Sequence, residues 1–281
     1  MTAPSGALRS RRWAWRRLTG RAKLSGELEE LAHAARAERE PLSGTVRMGV
    51  ISTVGPYLLP RVLPGLRRAY GRLKLYLVED LTARLIEDLH QGKLDVVLLA
   101  LPCDCGAVET AVLFEDPFLV AFSQGHALLN ETSITPQQLA CENLLLLKDG
   151  HCLREHALAA CSLAGGRRTE GVEATSLPTL VQMADNGLGT TLLPALAVEA
   201  GLLRGTSLVT RTLISDNHRE IGLIWRKGTG RRHEFHLLAQ ELARRCRRRP
   251  NRRRAATRQR YSSRPVGAAF CADCATRRVS S

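Results

Sequence analysis

The chain has 281 residues, 44% of them hydrophobic, and a net charge of +14, so it can bury the core of one or two domains. The positive charge lies at the two ends: residues 1–24 carry seven Lys and Arg and no acid, and residues 244–281 carry thirteen Arg and one Asp. Because these ends hold more positive charge than the whole chain, the middle is net acidic. The overall charge is therefore not evidence for a folded DNA-reading surface.

The eight cysteines are irregularly spaced, and the basic N-terminus is not followed by the apolar run of a secretory signal. No stretch approaches the roughly eighteen apolar residues of a membrane span. We therefore expect a cytoplasmic protein with reduced thiols. The pairs Cys103-Asp-Cys105 and Cys271-Ala-Asp-Cys274 each offer two soft ligands, but a structural zinc site needs about four. We expect these pairs to be fortuitous, with no metal and no cofactor.

The chain opens with a basic segment, residues 1–22, that has no amphipathic period and is expected to be unstructured. A helix is predicted over residues 23–41, because Ser25 can cap it and Pro41 ends it. Its narrow stripe of Leu24, Leu28, Leu31 and Ala35 favours pairing with another helix.

Strands alternate with amphipathic helices over the next segment. Strands are predicted at 45–51, 74–79 and 96–100, and helices at 57–70 and 82–91. This order is typical of β-α-β units and a parallel sheet. Further strands at 118–122, 144–147 and 221–225, with helices near 154–163, 177–186 and 234–244, indicate a second unit and a return to the first. We predict a two-lobed α/β fold with crossing strands near 118–122 and 215–221.

The predicted regulatory region spans 44–245, with lobe I at 44–119 plus 217–245 and lobe II at 120–216. A disordered basic tail is predicted over 246–281, since blocks of like charge repel one another and stay solvated. Two-lobed α/β proteins bind small ligands near strand carboxyl ends and helix N-termini. Thr53 and Thr82 follow the first two strands and are candidates for such a site. Their alternative role is helix capping.

Cys152 and Cys161 are the most informative pair in the sequence. Residues 153–160 between them are mostly strong helix formers, which would hold the two α-carbons roughly 13 Å apart. A disulfide requires a separation under about 7 Å, so the pair can bond only if the helix unwinds. His151 and Arg154 supply cationic neighbours that would favour a thiolate. The alternative is that both cysteines are small buried hydrophobes.

Several motifs together resemble the regulatory domain of LysR-type transcriptional regulators, specifically the OxyR peroxide sensors. They are Gly49-Val-Ile-Ser-Thr-Val-Gly-Pro-Tyr-Leu-Leu-Pro60, Gly92-Lys-Leu-Asp95, Asp149-Gly-His-Cys-Leu-Arg154 with Cys161, Ala174-Thr-Ser-Leu177, Gly189-Thr-Thr-Leu-Leu-Pro-Ala-Leu-Ala-Val198 and Ile221-Gly-Leu223 preceded by Arg219. The resemblance runs from about Leu24 to Ala243. It implies a periplasmic-binding-protein-like, LysR substrate-binding fold preceded by a dimerising linker helix.

The resemblance also implies a role for individual residues. Cys152 would be the peroxidatic cysteine and Cys161 its resolving partner. The peroxide pocket would be lined by Thr53, Thr82, His151 and Arg154, and Arg219 would support the cysteine loop. The implied function is a cytoplasmic activator of the oxidative-stress response, not an enzyme, switched by a Cys152–Cys161 disulfide. Implied partners are hydrogen peroxide, promoter DNA and a second copy of the chain, joined through the linker helix and regulatory domain.

The sequence departs from this family at both ends. The N-terminal winged helix-turn-helix is not recognisable, and we expect the DNA-binding domain to be absent from this chain. Two other functions compete with peroxide sensing. One is a LysR-type domain that binds a small organic effector, with incidental cysteines. The other is a thiol peroxidase that turns over.

Overall fold

In a computed structural model of the chain, the structure describes residues 41–160, 174–214 and 218–247. The predictions for the basic segment at 1–22, the linker helix at 23–41 and Cys161 fall outside the described residues, apart from residue 41 itself. The tail predicted from residue 246 also lies outside the described residues, except that the last helix continues two residues into it, to Arg247.

The described chain forms two compact units. The first contains residues 41–116, Gly150–Cys152 and Arg219–Ala243, and the second contains Pro117–Asp149 and the described residues of Leu153–His218. The chain thus leaves the first unit after Asp116, just before the predicted crossing at 118–122, and returns at Arg219, inside the predicted crossing at 215–221. The predicted fold class, two α/β lobes, is confirmed.

The first unit is a five-stranded sheet with three helices. The strands are β1 (Thr45–Ile51), β2 (Lys74–Asp80), β3 (Val96–Leu101), β4 (Val108–Asp116) and β10 (Arg219–Arg226), and the helices are α1 (Gly55–Ala69), α2 (Thr82–His90) and α7 (Arg232–Arg247). The strand order is β2-β1-β3-β10-β4. All six residues of β3 are buried, as expected for a central strand covered on both faces.

The sheet is mixed, which corrects the prediction of a parallel sheet. β1 pairs in parallel with β2 and β3, as β-α-β connections require, but β10 is antiparallel to both β3 and β4. β10 re-enters from the second unit without a crossover helix, so nothing obliges it to run parallel to its neighbours.

Gly49 in β1 allows α2 to pack closely on the sheet. A Cβ at this position would lie 2.8 Å from Leu94 Cδ1 and 2.9 Å from Leu85 Cδ2, closer than real Cβ atoms approach. Leu85 and Leu89 of α2 are fully buried. The N-terminus of α2 is therefore held firmly at the carboxyl end of β2, where the candidate site lies.

The second unit has its own five-stranded sheet, ordered β6-β9-β5-β8-β7. Its strands are β5 (Phe118–Phe122), β6 (Ser133–Ile134), β7 (Leu144–Leu145), β8 (Thr190–Pro194) and β9 (Val209–Leu213), and its helices are α3 (Pro136–Ala140), α4 (Cys152–Ala160), α5 (Leu177–Asp185) and α6 (Ala195–Glu199), with a 3-10 turn at Ala127–Asn130. The central strand β5 pairs antiparallel with β8 and β9, and the short outer strands run parallel to their neighbours.

Within the described ranges, every helix is too short or too polar to cross a membrane. The same residues contain no group of three or more His, Cys, Asp or Glu arranged to hold a metal ion.

Candidate redox site

Thr53 and Thr82 each follow the carboxyl end of one of two neighbouring strands in the first sheet. Ile51 ends β1 and Asp80 ends β2, and these two residues are register partners in a parallel pair. Thr53 and Thr82 each follow two residues later. The two threonines therefore occupy equivalent positions beyond the carboxyl ends of neighbouring strands, which is the usual location of a ligand site in an α/β sheet.

Neither threonine caps a helix, so the capping alternative is wrong. The N-cap of α1 is Val54 and that of α2 is Leu81, and neither helix has a side-chain cap hydrogen bond. Thr82 is already the first residue of α2, and Thr53 lies in the turn before α1. The first backbone N–H groups of both helices therefore receive no hydroxyl from these two residues.

Arg219 forms a buried cluster with Asp116 and Thr53. Its Nε and Nη2 donate to Asp116 Oδ2 at 3.0 and 2.8 Å, and its Nη1 donates to Thr53 Oγ1 at 3.1 Å. A fourth bond joins Nη2 to the Thr53 carbonyl oxygen at 3.3 Å. The side chains of Arg219 and Asp116 are 0% and 1% exposed. The guanidinium is thus neutralised by a carboxylate and fixes the β1–α1 turn.

This cluster determines what the Thr53 hydroxyl can do. A guanidinium only donates hydrogen bonds, so Thr53 Oγ1 accepts the bond from Arg219. The Thr53 hydroxyl can therefore still donate one hydrogen bond to another group. Arg219 itself directs its described side-chain bonds to Thr53 and Asp116, not to residues 150–152. Its predicted support of the cysteine loop would therefore act through Thr53.

The segment Gly150–Cys152 belongs to the first unit, although the residues on both sides belong to the second. Gly150 has φ +95°, a left-handed conformation that favours glycine. A Cβ at Gly150 would lie 3.4 Å from Leu81 Cδ1, so this segment runs along the residue that precedes Thr82. Cys152 is the first residue of α4 and is partly exposed, with its thiol reduced.

His151 and Arg154, the two cationic neighbours predicted for Cys152, supply less net positive charge than the sequence suggests. Burial lowers the pKa of His151 below its ordinary value of 6.5, because desolvation penalises the charged imidazole. His151 is therefore mainly neutral at pH 7. Arg154 pairs with Asp149, with 2.7 Å between Nε and Oδ1, and donates from Nη1 to the Leu147 carbonyl at 3.0 Å. Its side chain is 16% exposed.

The structure thus brings only some of the predicted site residues together. Thr53 and Arg219 are in direct contact, Thr82 occupies the position beside Thr53, and His151 and Cys152 lie in the segment that passes Leu81. Arg154 belongs to the second unit, where it holds the loop at 147–149. Cys161 is outside the described residues, but α4 runs to Ala160, so the predicted helix after Cys152 is confirmed.

Three features were missed by sequence reasoning. Asp116 is the partner of Arg219, and the two are 103 residues apart. A buried guanidinium is costly without a partner, so a carboxylate could have been expected near Arg219. Asp149 was quoted as part of a motif, but not as the partner of Arg154. The third feature is a disulfide between Cys103 and Cys105. The expectation of reduced thiols throughout the chain is therefore wrong for this pair.

Comparison with known proteins supports the resemblance drawn from the motifs. A family model described as the LysR substrate binding domain matches residues 39–247. The DNA-binding transcriptional dual regulator OxyR of Escherichia coli K12 is 39% identical over 216 residues, which cover 77% of this chain and 71% of that protein. Among solved structures, the reduced regulatory domain of OxyR2 from Vibrio vulnificus has a TM-score of 0.68 at 37% identity, covering 73% of this chain and 97% of that one. The oxidized form of OxyR has a TM-score of 0.65 at 40% identity, covering 73% and 96%.

Proposed function

The chain belongs to the LysR substrate-binding domain family, and on that basis we propose that it is the peroxide-sensing regulatory module of a transcriptional activator. The observation that supports this most is that Gly150–Cys152 belongs to the first unit, with Gly150 next to the side chain of Leu81, the residue before Thr82. A partly exposed thiol, a neutral imidazole and two threonine hydroxyls then belong to one unit. Such a set can bind a small polar oxidant.

The proposed chemistry uses hydrogen peroxide as the oxidant. The Cys152 thiolate attacks one peroxide oxygen, the O–O bond breaks, and the departing hydroxide takes a proton to become water. The sulfur is then a sulfenic acid. The Cys161 thiolate attacks this sulfur and expels a second hydroxide, which is also protonated. Two thiols and one peroxide thus give one disulfide and two water molecules.

The neighbouring groups have distinct proposed roles. His151 is mainly neutral at pH 7, so it can accept a proton or a hydrogen bond instead of acting as a fixed cation. Thr53 donates a hydrogen bond from its hydroxyl to a peroxide oxygen, and Arg219 keeps that hydroxyl in place. Thr82 and Arg154 are proposed as further donors that stabilise the departing hydroxide.

Disulfide formation requires α4 to unwind. The helix occupies Cys152–Ala160, and Cys161 follows directly. A helical path keeps the two α-carbons roughly 13 Å apart, about twice the separation that a disulfide tolerates. We propose that this loss of helix is the switch that alters the regulator's assembly and its contacts with promoter DNA.

We also propose that the module assembles with a second copy of itself, in the cytoplasm. In the first unit, β2 forms an edge of the sheet and exposes Tyr76, Leu77 and Val78, which are 61%, 41% and 42% accessible. An apolar edge strand is normally covered in a stable protein. A Tyr76→Lys variant should shift the elution of the purified chain toward the monomer; an unchanged mass by light scattering would contradict a role for this edge.

The sensor assignment can be tested by titrating the purified chain with peroxide below one equivalent. Non-reducing peptide mapping should find a Cys152–Cys161 disulfide before Cys141, an exposed thiol, is oxidised. In a Cys161→Ser variant, a dimedone adduct should accumulate on Cys152, whereas Cys141→Ser should behave as the parent protein. Equal oxidation of Cys141 and Cys152, or no adduct, would overturn the assignment.

A second function is favoured by the two helix N-termini that meet at this edge without side-chain caps. Such N–H groups attract an anionic ligand, as in a LysR-type domain that binds an organic effector. A carboxylate metabolite that raises the melting temperature equally in the parent and in a Cys152→Ser variant would favour this alternative. A thiol peroxidase would instead consume many equivalents of peroxide when thioredoxin is supplied, whereas the proposed sensor would consume a single equivalent.

A further inference from the structure

The disulfide between Cys103 and Cys105 lies in the loop between β3 and β4, which has no regular backbone structure. One residue separates the two cysteines, and their α-carbons are 5.3 Å apart, an ordinary separation for a disulfide. Cross-links stabilise a fold mainly by closing long loops of the unfolded chain. A bond that spans one residue restricts the unfolded chain little, so stability does not explain this pair.

The two cysteines of the disulfide differ in their exposure to solvent. Cys103 is partly exposed, whereas Cys105 is 4% exposed. Both line a cavity of about 480 Å³, together with Pro102, Thr110 and Val112. The greater exposure of Cys103 favours this cysteine over Cys105 as the one that an incoming small molecule attacks.

The loop is anchored on the Cys105 side. His90 Nε2 lies 3.0 Å from the Cys105 carbonyl oxygen, and because a carbonyl only accepts, this ring nitrogen carries the proton. Two backbone bonds hold the residues that follow, from Val108 N to the Gly106 carbonyl at 2.9 Å and from Lys227 N to the Ala107 carbonyl at 3.2 Å. When the disulfide opens, Cys105 stays in place and Cys103 is the cysteine able to move.

The cavity is acidic. Among the described residues that line it, Asp104 and Glu220 carry carboxylates and none is a lysine or an arginine. Asp104 lies between the two cysteines and is exposed, and Glu220 in β10 is the register partner of Leu101 at the end of β3. Negative charge beside the sulfur atoms repels an anionic thiol and attracts a cationic one.

We propose that Cys103 and Cys105 form a second redox site, which exchanges with cationic low-molecular-weight thiols and is independent of the peroxide site. An incoming thiolate attacks Cys103 Sγ, the S–S bond breaks, and Cys105 leaves as a thiolate that takes up a proton. A second small thiol then attacks the mixed disulfide and releases Cys103. The protein disulfide gains two electrons and two protons, and two small thiols become one small disulfide.

The test compares two small thiols of opposite charge on the purified full chain with a Cys152→Ser background. Cysteamine is cationic and 2-mercaptoethanesulfonate is anionic. The rate at which each thiol reduces the disulfide is measured by differential alkylation and mass spectrometry of the peptide that contains both cysteines. The two rates are then compared per thiolate ion. Cysteamine should reduce the pair roughly tenfold faster at low ionic strength, and the ratio should fall as salt is added.

Asp104→Asn should lower that ratio to about threefold, because it removes one of the two carboxylates. Asp104 is exposed, so this substitution should not unfold the chain. The matched control is Glu131→Gln, which removes an exposed negative charge in the second unit and should leave the ratio unchanged. Resistance of the pair to both thiols, equal rates with the two thiols, or no effect of Asp104→Asn would each overturn the proposal.

Discussion

Replacing Asp116 by Asn tests whether the buried cluster holds the candidate site together. The substitution keeps the shape of the side chain and removes its charge, so Arg219 is left as a buried cation without a carboxylate. Two hydrogen bonds, at 3.0 and 2.8 Å, join the partners, whose side chains are 0% and 1% exposed. Water cannot replace the lost partner at such a position.

The expected cost follows from two independent estimates. Breaking one partner of a buried ion pair destabilises a protein by about 3–5 kcal/mol. Coulomb attraction between charges about 4 Å apart, at an effective dielectric constant of about 20, is also about 4 kcal/mol. For a domain of this size, each kcal/mol lowers the melting temperature by about 2–4 °C, so Asp116→Asn should lower it by roughly 6–20 °C.

The assay is thermal unfolding followed by the fluorescence of Trp225, which is fully buried in β10 of the first unit. Trp13 and Trp15 are replaced by Phe so that the signal reports this unit alone. The matched control is Asp88→Asn, because Asp88 is also paired at 2.8 Å, with Lys93, but the two side chains are 32% and 63% exposed. A solvated pair of this kind contributes little, so the control should leave the midpoint almost unchanged.

The result that would refute this reasoning is a similar shift for Asp116→Asn and Asp88→Asn. A further arm replaces both members of the buried pair, by Asp116→Leu with Arg219→Met. If the cost arises from an uncompensated charge, the double variant should recover most of the stability lost in Asp116→Asn. If it is less stable than the single variant, the cluster stabilises the fold by some other means.

Three further predictions concern the same edge of the first unit. Thr53→Val should slow oxidation of Cys152 by peroxide at least several-fold while Thr53→Ser does not, measured by thiol loss under pseudo-first-order conditions; equal rates would remove Thr53 from the pocket. Gly150→Ala should cost about 1 kcal/mol or more in urea unfolding, because its φ is +95°, whereas Gly71→Ala, with open space around it, should cost less. Since burial lowers the pKa of His151, folding favours its neutral form, and this contribution is present above pH 6.5 and lost as the pH falls through the lowered pKa. An NMR titration of His151 that gives a pKa of 6.5 or above would contradict that assignment.

Local patterns were sufficient to predict the first β-α-β units. β1, β2 and β3 are short apolar or alternating runs bounded by turns, and the helices between them show apolar residues at helical spacing. Each element is therefore recognisable from its own residues alone. The strand at 108–116, β4, was not predicted. It is an edge strand with mixed exposure, and its pairing partner β10 lies more than a hundred residues away.

The candidate site was predictable in its types of residue but not in its contacts. Thr53 and Thr82 could be located beyond strand ends from the sequence, because parallel strands end at one edge of a sheet. The capping alternative failed because the N-cap positions are Val54 and Leu81 and not the two threonines. The pairing of Arg219 with Asp116 and the neutral state of His151 depend on tertiary burial and proximity, which no local pattern encodes. Cys103 and Cys105 were recognised as a pair, but their spacing did not show that they form a disulfide.

Asp116 and Arg219 are register partners, so residues 117–218 are inserted into the first unit between two residues that lie opposite each other. Asp116 ends β4 and Arg219 begins β10, and these antiparallel strands face each other at that pair. A two-residue Asn-Gly turn could therefore join them as a β-hairpin in place of residues 117–218. The resulting miniature protein would keep the five-stranded sheet, the buried ion pair and the Cys103–Cys105 site, and would lose Cys152 with the rest of the insertion.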